Sequence, residues 1–283
     1  MLLITFASDI DESADALKKI YGILLLVLLV CVACEFKLRP NEDDGQSPLI
    51  EVRRFDRLEY RYLTTADFSA LQEMNMEYPM ETRMLFEDIL RLGSVKDPEI
   101  HSKFLKLYQD PKLQTLLSDV ESEYANIDDL DKDFNNAFTR LKKWLPDMEI
   151  PEIYAQISAL DQSVIIGNHS LGISLDKYMG KDYPLYQEYY SDAQCMQMTR
   201  EMILPDALSF YLVSQYPLKD FEGRPQLERD LHMGKIQWVV NQALGRQEFR
   251  SKYVMAVERF MKSGRHVSYD ELLKMADFSG FKI

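Results

Sequence analysis

Three cysteines, four histidines and no apolar run of full membrane-spanning length in 283 residues exclude a good deal before any motif is read. The cysteines fall at Cys31, Cys34 and Cys195, so the chain carries none of the disulfide frameworks that staple small secreted domains. The histidines, His101, His169, His232 and His266, form no i, i+4 pair. That removes the H-E-x-x-H arrangement, which sets two neutral zinc ligands on one helical face. No G-x-S-x-G elbow and no phosphate-cradling glycine loop occurs either. Basic charge is short as well: 33 Lys and Arg stand against 46 Asp and Glu, a net charge of -13. Such a balance argues against nucleic acid and against a basic grip on anionic lipid headgroups.

What is present begins with "KKIYGILLLVLLVCVACEF". Lys18 and Lys19 precede an apolar run over 20–33, shorter than the ~20 residues that cross a hydrocarbon core. It fits the h-region of a secretory signal ending at the small residue Ala33. Cys31-Val32-Ala33-Cys34 then reads as a bacterial lipobox, cut before Cys34, which afterwards carries lipid, palmitate among its acyl chains. The alternative, a single-span anchor, is disfavoured by the short run and by the placement of Cys34. The acidic stretch before Lys18 suits no signal n-region, so the expectation is a start codon assigned too far upstream. Removing residues 1–33 leaves 250, and with two basic and four acidic side chains gone the net charge moves from -13 to -11. Membrane contact is therefore expected from the acyl anchor and not from the folded surface. Residues 34–50 read as a flexible tether and 51–283 as a single domain. Cys195 is then alone and reads as a buried small hydrophobe, not a nucleophile.

Helical periodicity dominates the domain. Met84, Leu85, Ile89 and Leu92 form one stripe, and Leu113, Leu116, Leu117, Val120 and Tyr124 another, opened by Asp110-Pro111. The cleanest is Leu130, Phe134, Phe138, Leu141 and Leu145. Between 151 and 178 the period changes. Ile153, Ala155, Ile157 and Ala159 alternate, and "SVIIGNHSLGISLD" predicts strand, Gly167-Asn168 turn and strand. Helices return, kinked or split at Pro205, and Ser268 with Glu271 forms a capping box for the last one. The fold class is α+β, mostly α, with a small antiparallel three-stranded sheet.

The place after the sheet where a zincin would carry its H-E-x-x-H helix holds "TREMILPDAL". Glu201 is there, but Arg200 and Leu204 occupy the ligand positions, and neither supplies a neutral nitrogen to zinc. His232 on the following helix reads as a lone helical histidine or the relic of a third ligand. The most distinctive run is "LGISLDKYMGKDYPLYQEYY". Its tyrosines pair large apolar rings with polar tips, which suits an interface as well as half-buried packing. Asp176, Tyr178, Lys181, Asp182 and Tyr186 are the candidate binding residues, set against the alternative of a loop packed on its own helices.

That same run, preceded by "PEIYAQISALDQSV" and followed by "HMGKIQWVVNQAL", resembles the gliding-motility lipoprotein GldB family of Bacteroidota, as does "VRRFDRLEY" near the mature start. The resemblance covers nearly all of the mature chain. It implies an envelope lipoprotein tied to gliding motility or related envelope machinery. More distantly it implies a degenerate zincin-like fold, similar to H-E-x-x-H peptidases from which the histidines are lost. The resulting expectation is a non-catalytic binding component without a cofactor. It would be held to the membrane through Cys34, face the periplasm and dock an envelope protein. The alternatives are a divergent metallopeptidase using Glu201 as base, or a carrier of an apolar envelope ligand.

Overall fold

The computed structural model describes residues 50–264 and 266–283, so the lipobox, Cys34 and nearly all of the tether lie outside the described residues. Strand β1 (Arg53–Arg54) leads into α1 (Phe55–Thr65), α2 (Phe68–Glu77) and α3 (Pro79–Met84), the last running into a π-helical turn (Leu85–Ile89). Three further helices follow, α4 (Ile100–Leu107), α5 (Pro111–Glu123) and α6 (Asp128–Trp144). Next come β2 (Glu152–Gln156), β3 (Val164–Ile166) and β4 (Ser170–Ser174). The chain continues through two short helices, α7 (Tyr186–Tyr189) and α8 (Asp192–Cys195), to α9 (Ile203–Gln215). It closes with α10 (Gln226–Leu244), α11 (Lys252–Lys262) and α12 (Tyr269–Lys274).

Local chemistry starts these helices where the sequence places it. Asp67 accepts from the Ser69 amide at 2.8 Å to open α2, and Asp110 accepts from Lys112 at 2.7 Å with Pro111 at the first helical position of α5. Ser268 and Glu271 make the expected reciprocal box on α12. Helix α6 carries Asp128, Asp129 and Asp131 in its first turn and Lys142 and Lys143 in its last, matching its dipole. Its stripe of Leu130, Phe134, Phe138, Leu141 and Leu145 is buried. Pro205 lies in the first turn of α9, where its missing N–H costs no helical bond. The segment is thus split before the proline, by the 3-10 turn Arg200–Met202, and not kinked at it.

The sheet differs from the expectation. It has four strands in the order β1-β2-β4-β3, and it is mixed. β2 runs parallel to both β1 and β4, with Tyr154 opposite Gly172, and only β3 and β4 form an antiparallel hairpin. The three-stranded antiparallel patch is therefore corrected. The chain after β2 does not turn back beside it. It loops over 157–163 and sends β3 to the outer edge, so β4 is inserted next to β2. The alternation read along β2 also proves two-sided, since Ile153, Tyr154, Ala155 and Gln156 are all buried. Burial on both faces is the mark of an interior strand in parallel pairing. In the hairpin, the left-handed residue is His169 (φ 61°).

Around the sheet, α1 lies against β2, and α9 against β3 and β4. Helix α10 packs on α6, α9, α11 and α12. A Cβ on Gly234 would come within 2.8 Å of Tyr253, so only glycine lets α10 and α11 approach this closely. One residue on, the buried Lys235 ammonium donates to the carbonyls of Leu273 (3.3 Å) and Met275 (2.6 Å), capping the end of α12.

Candidate functional site

The chain leaving β4 passes through a 3-10 turn (Leu175–Lys177) and a tight excursion before α7. Asp176 is fully buried there, and its carboxylate accepts from the amides of Ser158 (3.0 Å) and Leu160 (2.6 Å). The loop it holds contains consecutive left-handed residues, Ala159 (φ 50°) and Leu160 (φ 67°). Neither is glycine, so the conformation is strained and needs such an anchor. Burial raises the Asp176 carboxyl above its usual range, against the lowering effect of those two amides.

Tyr186 and Tyr178 are buried beside it. The Tyr186 hydroxyl donates to the Asp176 carbonyl (2.5 Å) and accepts from the Met179 amide (2.9 Å). The Tyr178 hydroxyl donates to Asp206 (3.0 Å), and its carbonyl accepts from the Tyr124 hydroxyl (2.6 Å). Gly180 takes φ 105° and donates to the Met198 carbonyl at 3.0 Å, a conformation reserved for glycine. Lys177 donates to the Leu160 carbonyl (3.1 Å) and to the Tyr190 hydroxyl (2.8 Å).

The predicted set therefore divides. Asp176, Tyr178 and Tyr186 form the buried frame, while Lys181 and Asp182 stand exposed at the rim. Tyr178, Lys181 and Asp182 come together in the wall of one cleft of about 550 Å³. Its other side is made by Glu123, Thr199, Arg200 and Glu201. Tyr178 also borders a second cavity of about 350 Å³ with Ser163, Lys177, Tyr190, Gln194 and Asp206, and so partitions the two. Burial pushes the Asp206 carboxyl up to about 6, partly countered by the Tyr178 hydroxyl.

Arg200, at the first position where an H-E-x-x-H pattern would need histidine, is committed elsewhere. It grips Asp129 with both branches of its fork (2.7 and 3.0 Å) and donates to the carbonyls of Glu123 (3.2 Å) and Asn126 (3.0 Å). Its guanidinium also lies 4.8 Å over the Tyr124 ring. Leu204, at the second position, is buried in the core. Glu201 is held below the usual carboxylate range by its own amide and the Thr199 hydroxyl, the opposite of a general base poised near neutrality. His232 is pushed down to about 4 by burial and by Lys235, and it lines neither cavity. Among the described residues no three His, Cys, Asp or Glu side chains are placed to hold a metal ion. Cys195 is buried against Tyr186 and Met198.

Asp206, Tyr124 and Lys177 were not read as site residues in the sequence. Tyr124 was legible only as core, and Asp206 is an ordinary first-turn acid until the strand and helix that enclose it are in place.

A mostly helical domain around a small mixed sheet, with a polar cleft beside the turn after β4, defines the class. A family model described as "Gliding motility protein GldB" matches residues 37–256, and the chain belongs to that family. No curated protein and no solved structure matches it. Among the described residues no helix is long and apolar enough to cross a membrane.

Proposed function

We propose that this GldB-family protein is a cell-envelope lipoprotein, acylated at Cys34 and facing the periplasm. In this reading it is a non-catalytic binding component of gliding-motility or related envelope machinery, and the cleft beside Tyr178 receives a protein partner. The observation that carries this reading is the state of the cleft's charged groups. Arg200 is saturated by Asp129 and two carbonyls, and Glu201 is stabilised as a carboxylate, so neither is poised for proton transfer. The frame beneath is fixed by Asp176, Tyr186 and Tyr124, which favours presentation of a preformed surface. Lys181 and Asp182 are exposed on that surface, together with Glu123 and Glu201.

The test is photo-crosslinking in living cells with a probe at position 181 or 182, compared with a probe at exposed Met255. Reproducible capture of one envelope protein from the cleft positions alone supports the reading. Equal capture from all three positions, with folded and acylated protein present, removes the cleft from it.

A further inference from the structure

The two most exposed large apolar side chains among the described residues, Met76 (71 %) and Phe68 (70 %), lie in one stretch with exposed Met80 (55 %). Positions 68, 72 and 76 lie one above the other on α2, and the Gln72 amide between the two apolar side chains points to the Met76 sulfur at 3.6 Å. The inner face of the same helix is spent on the core through Ala70, Leu71 and Met74. Phe68 keeps one edge-on contact with the Tyr62 ring at 6.3 Å, yet it and Met76 leave most of their apolar surface uncovered on the outer side of α2.

This face lies beside the point where the tether enters the domain. The described chain begins at Ile50, whose amide and carbonyl are both held by Asn135 (2.7 and 2.6 Å). Three residues later, the Arg53 guanidinium donates to the Glu77 carbonyl (3.1 Å) and lies 4.2 Å over the Tyr78 ring. The end of α2 is thereby pinned beside the point where the chain enters the domain. Cys34 is sixteen residues before Ile50, which bounds the span to an anchor there at about 55 Å.

We propose that the exposed face of α2 and α3, with Phe68, Met76 and Met80, is a membrane-contact surface that dips into the outer part of the lipid leaflet holding the acylated Cys34. The proposal rests on acylation of Cys34. A tethered face needs little affinity of its own, because the anchor keeps it at high effective concentration beside the bilayer. The contact is apolar, in keeping with an acidic chain, and the arginines at the two ends of the stretch are paired within the domain, Arg61 with Asp67 and Arg83 with Glu87. One consequence is orientation: the domain is held against the leaflet by a defined side instead of turning freely on its tether.

The full chain, purified acylated and reconstituted in phosphatidylethanolamine–phosphatidylglycerol vesicles, carries a nitroxide at M76C or, as control, at M255C. Power-saturation EPR is expected to find the position-76 label accessible to oxygen and shielded from aqueous nickel, with the reverse at 255, and raising salt leaves both unchanged. A position-76 label that stays nickel-accessible in protein floating with the vesicles overturns the proposal. So does a label shielded from both reagents, which marks a protein or a second copy on this face. Intact mass reports acylation of Cys34 separately, so loss of the anchoring reading is told apart from loss of the contact face. In unlabelled protein, amide exchange over 68–80 is expected to slow on vesicle addition, and unchanged exchange counts against the face.

Discussion

The Tyr178 hydroxyl donates to the Asp206 carboxyl at 3.0 Å, joining the turn after the sheet to the first turn of α9. Burial pushes that carboxyl up to about 6, so the folded state keeps a proton that an unfolded aspartate, near 3.9, has released. Between these values the native state binds more protons than the unfolded one, and stability falls as pH rises from about 4 to 6. The Asp206 share of that fall is about 2–3 kcal/mol. Urea unfolding across this window is expected to show a smaller decline in D206N than in the parent. Identical slopes would place the carboxyl in water.

Asp176 makes a different kind of prediction. Removing its carboxylate in D176A leaves the buried amides of Ser158 and Leu160 without acceptors. The cost is about 2–5 kcal/mol. It should also release the left-handed pair Ala159 and Leu160, and through it the floor of the cleft. Thermal unfolding measures the first effect. The second appears as faster amide exchange at 158–160, before any global opening. D176N, which keeps one acceptor oxygen, should lie between the two.

How far these groups were legible before the fold depended on how local their chemistry is. The capping box at Ser268 and Glu271 and the stripe from Leu130 to Leu145 depend on residues within a turn or two of one another, and both stand as read. The sheet was read as three antiparallel strands because "VIIGNHSLGIS" is a hairpin and the preceding strand is adjacent in sequence. Pairing β2 with β4 goes with a non-local contact, Asp176 reaching back across sixteen residues to Leu160, and no periodicity encodes that. Asp176, Tyr178 and Tyr186 were read as candidate binding residues, but a tyrosine's spacing does not reveal which end is wet. The structure turns three of the five inward and leaves Lys181 and Asp182 at the rim.

Writing an H-E-x-x-H pattern into positions 200–204 should not create a metal site. R200H gives up the bidentate Asp129 contact and two carbonyl partners, and L204H places an imidazole where a core leucine packs. The double variant is expected to be less stable by about 3 kcal/mol or more. It should bind no stoichiometric zinc by calorimetry or metal analysis. Tight binding of one zinc per chain, with stability regained, would mean that this region keeps a metalloprotein's geometry after all. R200K separates charge from shape, since lysine keeps the first and loses the fork, and it should cost about 1–2 kcal/mol.

Lys235 offers the opposite sign of pH dependence to Asp206. Burial pushes its ammonium down to about 8, so between about 8 and 10.4 the native state has lost a proton that the unfolded chain retains. Stability contributed by this group therefore rises with pH across that window, by up to about 3 kcal/mol, and K235M should abolish the rise. At neutral pH the same variant removes a desolvated charge and leaves a side chain of similar length. Its global stability is expected to lie within about 1 kcal/mol of the parent. What it loses is local: the carbonyls of Leu273 and Met275 are left without the ammonium that caps α12. Amide exchange confined to 269–275 should quicken while the transition midpoint barely moves. A large global loss would instead make this buried lysine a main support of the core. Unchanged exchange at α12 would mean that Leu272 and Leu273, both buried, hold the helix by packing alone.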